Sequence, residues 1–178
     1  IKAVRQFGAQ ASIMPSGDLE VIGTGKPVPE EMIRCGESAL GARLFTAVAA
    51  LSGKKVTITG RGSLMHRPMI GFADIFSSLG VLFETTSGKL PITLQGPYSV
   101  KNIEVDGSNG SQYISALIIA LANVVQDETT ITIKDLKSRP YLDMTLGMLR
   151  DFGYSIRQEK SDRIVLSPVT RVAEQVIN

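Results

Sequence analysis

The sequence predicts an α/β fold built from repeated strand–helix–strand–helix–hairpin units. Three observations carry this prediction. First, the chain repeats itself: the Arg67-Pro68 pair returns one copy later as Arg139-Pro140, and Leu79-Gly80 returns at nearly the same interval as Phe152-Gly153. Second, each copy contains one helix-length segment almost free of charge, which marks a helix buried on all sides. Third, each copy ends in two short strand-like runs around a polar turn.

The elements follow in order. A truncated copy comes first: Phe7-Gly8 precedes ASIMPSGDLEVIG much as Leu79-Gly80 precedes VLFETTSGKLPITLQG. Its turn is SGD after Met14-Pro15, matched later by TSGK after Glu84 and by EKSD after Gln158. The next copy opens its first helix over Leu40 to Leu51, with Arg43 as its one charge, and the last copy does so over Gln112 to Gln126 with none. The second helix of each copy is expected to begin at Pro68 or Pro140, where proline suits the first turn, and to end at Gly80 or Gly153. Leu142, Leu146, Leu149 and Phe152 recur at helical spacing and predict one buried face. The boundaries expected are about 1–24 for the end of one unit, 25–98 and 99–168 for two complete units, and 169–178 for a tail, all within a single domain.

Composition narrows the function classes. With 178 residues, 43% hydrophobic and 20% charged, the chain reads as one soluble globular domain. A formal charge of +2, with no basic run interleaved with aromatics, argues against nucleic acid and leaves small anions as partners. No apolar run reaches the roughly 18 residues of a membrane helix, and no signal core opens the chain. Its one cysteine, Cys35, fits a reducing compartment, so the cytoplasm is expected. A start at Ile1 without methionine reads as a piece of something larger.

The residues able to carry chemistry cluster at helix entrances. Gly107-Ser108-Asn109-Gly110-Ser111 leads straight into an uncharged helix, offering small side chains, hydroxyls and backbone N–H groups at the positive end of the dipole. That pattern suits a phosphate or carboxylate. It also suits plain capping, with Asn109 as N-cap and Gln112 reaching back. Arg43, inside an apolar helix, needs an anionic partner, either a ligand or a structural group such as Glu37. Arg67 and Arg139 share a repeat position that is either a solvated loop charge or an anion contact. Ser138 and Tyr141 are either hydroxyl donors or a turn serine and a half-buried aromatic. His66 and Cys35 have no partners at metal or triad spacing and read as bystanders.

GESALGARLFTAVAALSGKKVTITGRGSLMHRPM, DGSNGSQYISALI and KSRPYLDMTLGMLRDFG, in this order and spacing, resemble the central part of the EPSP synthases, the 3-phosphoshikimate 1-carboxyvinyltransferases. The resemblance covers nearly the whole chain up to about Val169. It implies βαβαββ units with buried helices and outer mixed sheets, one lobe of a two-lobed inside-out α/β barrel. It also implies enolpyruvyl transfer from phosphoenolpyruvate to the 5-hydroxyl of shikimate 3-phosphate, on the route to chorismate and the aromatic amino acids, with no cofactor and no metal. Carried over by position, Gly110, Ser111, Gln112, Ser138 and Tyr141 are expected at shikimate 3-phosphate, and Arg67, Ala39, Arg43 and Gln112 at phosphoenolpyruvate.

Two departures stand out. Gly110 replaces a serine usual in the family, which removes one hydroxyl contact. Ala39 replaces a usual glycine, and its methyl is expected to crowd donor analogues such as glyphosate. The family's Lys-Ser motif and the acid and base groups of its second lobe have no counterpart in this sequence. The chain by itself is therefore expected to bind without turnover, with the missing lobe as its partner. Competing readings are a relative of the UDP-N-acetylglucosamine enolpyruvyl transferases, which lack the Ser-Gln and Ser-Arg-Pro-Tyr pairs, and a non-catalytic repeat scaffold.

Overall fold

The computed structural model describes residues 1–169, so the expected tail of 169–178 lies outside the described residues except for Val169. The chain divides into two compact units, Ile1–Tyr98 and Ser99–Asn178.

The first unit opens with a one-turn helix α1 (Lys2–Arg5) and a hairpin of β1 (Gln10–Ile13) and β2 (Leu19–Ile22). Among the described residues these two strands pair only with each other. Then come β3 (Met32–Arg34), α2 (Ala39–Ala49), β4 (Lys55–Thr59), two 3-10 turns at Gly62–His66 and Ile70–Phe72, α3 (Ala73–Ser78), β5 (Leu82–Thr86) and β6 (Lys89–Gln95). The sheet order is β3-β4-β6-β5. β3 and β4 run parallel because a helix crosses between them, and the β5–β6 hairpin adds antiparallel strands. Strand alternation points Val56, Ile58, Ile92 and Leu94 inward. Phe72, Phe76, Phe83 and Tyr98 stack edge and face beside them, with centroids 4.8 to 6.3 Å apart.

The second unit repeats the plan with β7 (Ile103–Asp106), α4 (Ser111–Leu121), β8 (Thr129–Lys134), α5 (Arg139–Asp151), β9 (Ile156–Lys160) and β10 (Arg163–Leu166). Its sheet order is β7-β8-β10-β9. The βαβαββ plan and the mixed sheets expected from the sequence are therefore present. α4 is buried nearly throughout, with Ile114, Leu117 and Ile118 fully covered. Each such side chain removed from water contributes about 1.5–3 kcal/mol. On α5 the leucines Leu142, Leu146 and Leu149 are buried, while Phe152, just past the end, is half-buried. Gly80 and Gly153 follow the second helices at φ +74° and +86°.

Several local expectations are corrected. No α-helix begins at Pro68. Arg67, restricted by the following proline, is extended at φ −76° and ψ 138°, and the Met69 N–H donates to the Gly88 carbonyl at 2.8 Å, so the α-helix starts only at Ala73. α2 is not apolar-buried on all sides: Leu40 is 48% exposed, and Leu44, Phe45 and Val48 are half-buried. α4 stops at Leu121 rather than near Gln126, where Asn123 and Gln126 are already exposed. Among the described residues no helix is long and apolar enough to cross a membrane.

Candidate functional site

In the second unit the parallel strands β7 and β8 end side by side, and each leads through a short loop into a helix N-terminus. Ligands of α/β sheets gather at such carboxyl ends. The two loops are tied together: the Gly107 N–H donates to the Lys134 carbonyl at 2.7 Å, and the Lys137 N–H donates to the Gly107 carbonyl at 3.5 Å. Only glycine fits at 107, since a Cβ there would lie 2.8 Å from Leu136 Cα, 2.9 Å from Ile133 Cγ2 and 3.0 Å from the Lys134 oxygen.

The loop before α4 is braced from below by Asp106. Its carboxylate accepts from the Ser108 N–H and from the Ser108 hydroxyl, both at 2.7 Å. The Ser108 hydroxyl, then the Ser108 amide and the nearby Lys137 charge hold this carboxyl below its ordinary pKa, against a small opposing effect of burial. The Gly110 N–H closes a turn onto the Gly107 carbonyl at 3.1 Å, and Gly110 itself sits at φ +106°, a backbone that a side chain disfavours. This turn moves the N-cap to Gly110, so Asn109 does not cap α4 as the expected capping box requires: Gly110 has no side chain to cap with, and Asn109 lies exposed one position earlier. Ser111, the first helical residue, is 5% exposed, and Gln112 is half-buried.

The neighbouring α5 also begins without a side-chain cap. Its N-cap, Ser138, adopts the left-handed conformation at φ +58°, with its side chain exposed. The Tyr141 N–H donates to the Ser138 carbonyl at 3.2 Å, and the Tyr141 ring is 65% exposed rather than half-buried. Two helix N-termini whose N-cap residues make no side-chain cap bond thus adjoin, with Gly110, Ser111, Gln112, Ser138 and Tyr141 on their first turns. Such an arrangement attracts an anion through backbone N–H groups and the helix dipoles.

The first unit has the same loop frame with different chemistry. The Cys35 N–H donates to the Thr59 carbonyl at 2.9 Å, and the Arg61 N–H to the Gly36 carbonyl at 2.7 Å. Here the helix is capped: Ser38 Oγ accepts from the Gly41 N–H at 3.0 Å, beside Ala39 at the first helical position. Glu37 pairs with Arg61 at 3.7 Å. Arg43 reaches the start of the next segment, where its Nη2 donates to the Pro68 carbonyl at 3.2 Å.

The two repeat arginines part company. Arg139 is tied down, donating to Asp143 Oδ1 at 2.8 Å and to the Ser161 carbonyl. Arg67 is exposed, and among the described residues its guanidinium makes no ion pair. Cys35 is buried, which pushes its thiol up to about 11, and His66 is exposed. Among the described residues no group of three His, Cys, Asp or Glu side chains is arranged to hold a metal. The bracing of Asp106 and a hydroxyl pair between Ser115 and Thr145 were not anticipated from sequence. The signal for the second was a serine in mid-helix among apolar residues.

Compared with known proteins, the whole chain, residues 1–178, matches the family described as EPSP synthase (3-phosphoshikimate 1-carboxyvinyltransferase). A protein of that name from Nitrosopumilus maritimus is 36% identical over 160 residues, covering 88% of this chain and 37% of the relative. Another, from Methanococcoides burtonii, is 36% identical over 170 residues, covering 92% and 39%. The solved EPSP synthase of Acinetobacter baumannii superposes with a TM-score of 0.77 at 26% identity, over 93% of this chain and 37% of that one. The enolpyruvyl transferase NikO of Streptomyces tendae, at 16% identity and a TM-score of 0.58, shares the fold. The chain spans less than two fifths of the length of these relatives.

Proposed function

The chain belongs to the EPSP synthase family, and from that premise we propose that it is the substrate-holding part of an enzyme that moves the enolpyruvyl group of phosphoenolpyruvate onto the 5-hydroxyl of shikimate 3-phosphate. The observation that carries the proposal is the pair of adjoining helix N-termini at the carboxyl ends of β7 and β8. On this reading residues 25–98 and 99–168 are two complete repeats of one lobe, residues 1–24 close a third, and the enzyme works in the cytoplasm.

The reaction forms a C–O bond at the acceptor hydroxyl and releases inorganic phosphate. It therefore needs groups that hold anions and groups that move protons. Ser111, Gln112, Ser138 and Tyr141 are assigned to shikimate 3-phosphate, with the Gly110 turn exposing the first N–H groups of α4. The Ser111 hydroxyl and these N–H groups face the phosphate, and the exposed Tyr141 and Ser138 hydroxyls approach from α5. Arg67 is assigned to phosphoenolpyruvate, because an always-charged guanidinium without an ion pair among the described residues matches a carboxylate or phosphate with two parallel hydrogen bonds. Ala39 and Arg43 are assigned to the same ligand, Arg43 through the Pro68 segment that it grips. Proton transfer is assigned to a second lobe, the partner this chain requires for turnover.

The test uses the full-length enzyme and its phosphate release. Ser111→Ala should raise KM for shikimate 3-phosphate, and Arg67→Ala should raise KM for phosphoenolpyruvate, each by roughly 10-fold to 150-fold, the scale of a lost charge-assisted hydrogen bond. The isolated chain should bind shikimate 3-phosphate no better than about millimolar, since two exposed helix termini and a few net hydrogen bonds sum to only ~4 kcal/mol. Turnover by the isolated chain, or equal effects of both substitutions on both substrates, would contradict the proposal.

A further inference from the structure

The helices α2 and α4 each carry, at the fifth residue, a side chain that bonds to the segment following the next strand. In the second unit this residue is Ser115, whose Oγ lies 2.8 Å from Thr145 Oγ1 on α5. In the first unit it is Arg43, at the matching place one copy earlier, whose Nη2 donates to the Pro68 carbonyl. The residues and their targets differ, and only the starting position, the fifth residue of the helix, is shared.

In the second unit the direction of each hydrogen bond can be worked out. The Thr145 hydroxyl donates to the Tyr141 carbonyl at 3.0 Å. A hydroxyl has a single proton, so the 2.8 Å contact must run from the Ser115 O–H to Thr145 Oγ1. The bonds then form one path: Ser115 to Thr145, Thr145 to the Tyr141 carbonyl, and the Tyr141 N–H to the Ser138 carbonyl at 3.2 Å. That path begins on α4, one turn past Ser111, and ends at the left-handed Ser138.

We propose that Thr145 is a positioning residue: paired with Ser115, it holds the first turn of α5, and so Ser138 and Tyr141, in register with the N-terminus of α4. The inference rests on the assignment of shikimate 3-phosphate to that cluster. A packing role alone does not account for the pair. Ser115 is 7% exposed, flanked along α4 by the fully buried Ile114, Ala116, Leu117 and Ile118, and a hydroxyl placed there is costly unless it is bonded. A threonine that bonds back to the carbonyl one turn earlier tends to bend its helix slightly. What the bond supplies is orientation of the first turn, where Ser138 holds a backbone conformation that non-glycine residues adopt only when their surroundings enforce it.

The experiment compares Thr145→Val, close in shape but without the hydroxyl, with Thr145→Ser, which keeps it, in the full-length enzyme. Thr145→Val and Ser115→Ala should each raise KM for shikimate 3-phosphate by about 3- to 10-fold, the size of one net hydrogen bond. KM for phosphoenolpyruvate should stay within about 2-fold, and Thr145→Ser should restore near-normal values, as expected for an effect confined to one hydroxyl. Unchanged kinetics in Thr145→Val, or equal impairment in Thr145→Ser, would overturn the proposal. So would a parallel rise of both KM values with falling thermal stability. Ser111→Ala separates the two layers: if it raises KM while Thr145→Val is silent, only the positioning role fails. If Ser111→Ala is itself silent, the site assignment fails and takes the positioning role with it.

Discussion

Replacing Gly107 by alanine tests the joint between the two loops of the second unit. The added Cβ would meet Leu136 Cα at 2.8 Å, Ile133 Cγ2 at 2.9 Å and the Lys134 carbonyl oxygen at 3.0 Å. Comfortable carbon contacts begin near ~3.5 Å, so each neighbour must retreat by roughly half an ångström or more. Two of the three are backbone atoms and cannot swing away as a side chain would. The retreat also stretches the 2.7 Å bond from the Gly107 N–H to Lys134. Overpacking of this kind costs about 1–3 kcal/mol and the weakened hydrogen bond about 1 more, giving roughly 2–4 kcal/mol. For a chain of this size, that corresponds to a fall in Tm of roughly 4–16 °C in a thermal melt followed by circular dichroism. In the amide spectrum the shifts should centre on residues 107–111 and 134–138. An unaltered melt would refute the claim that the two loops are locked at Gly107.

Gly147 provides the opposite case, because a Cβ there meets nothing within 4 Å and the position lies inside α5. Gly147→Ala should therefore stabilise by about 0.4–1 kcal/mol, and a lower urea midpoint would count against the described packing. Cys35, with its thiol pushed up to about 11 by burial, should react with a thiol reagent at pH 8 at least about 100-fold more slowly in the folded chain than in denaturant; equal rates would show it accessible. The Asp106 carboxyl is lowered in the folded state, so the loop support it gives is complete above the ordinary value of about 3.9 and is lost only as pH falls through the lower folded value. The carbon resonance of that carboxyl, and the Ser108 amide beside it, should titrate with a midpoint under about 3.9, and a midpoint above it would remove Asp106 as the brace.

Repetition made the strand and helix order legible, because each copy repeats the same alternation of apolar runs and glycine stops. The leucines of α5 could be placed by spacing alone, since one face of a regular helix depends only on its own sequence. The start of the helix after Pro68 could not, because it is decided by a bond from Met69 to the hairpin turn at Gly88, beyond the helix itself. The capping box failed for a similar reason: the turn from Gly107 to Gly110 exists because the loop is clamped to Lys134 on another strand. Arg67 and Arg139 look alike in sequence, and only the placement of Asp143 and Ser161 reveals that one is held and the other exposed. The partial exposure of Leu40, Leu44, Phe45 and Val48 shows the limit of reading burial from composition, which tells that a surface is apolar without telling what covers it.

The strand orders β3-β4-β6-β5 and β7-β8-β10-β9 also set a timetable for the ribosome. In each unit the strand laid antiparallel beside the second strand is encoded well after it: β4 ends at Thr59 and β6 begins at Lys89, while β8 ends at Lys134 and β10 begins at Arg163. With synthesis at ~5–20 residues per second and a gap of about 30 residues, that edge of β4, and later of β8, waits roughly 1.5–6 s for its neighbour. Twice during translation, one repeat apart, the nascent chain therefore presents an open strand rich in threonine and isoleucine to any other polypeptide nearby.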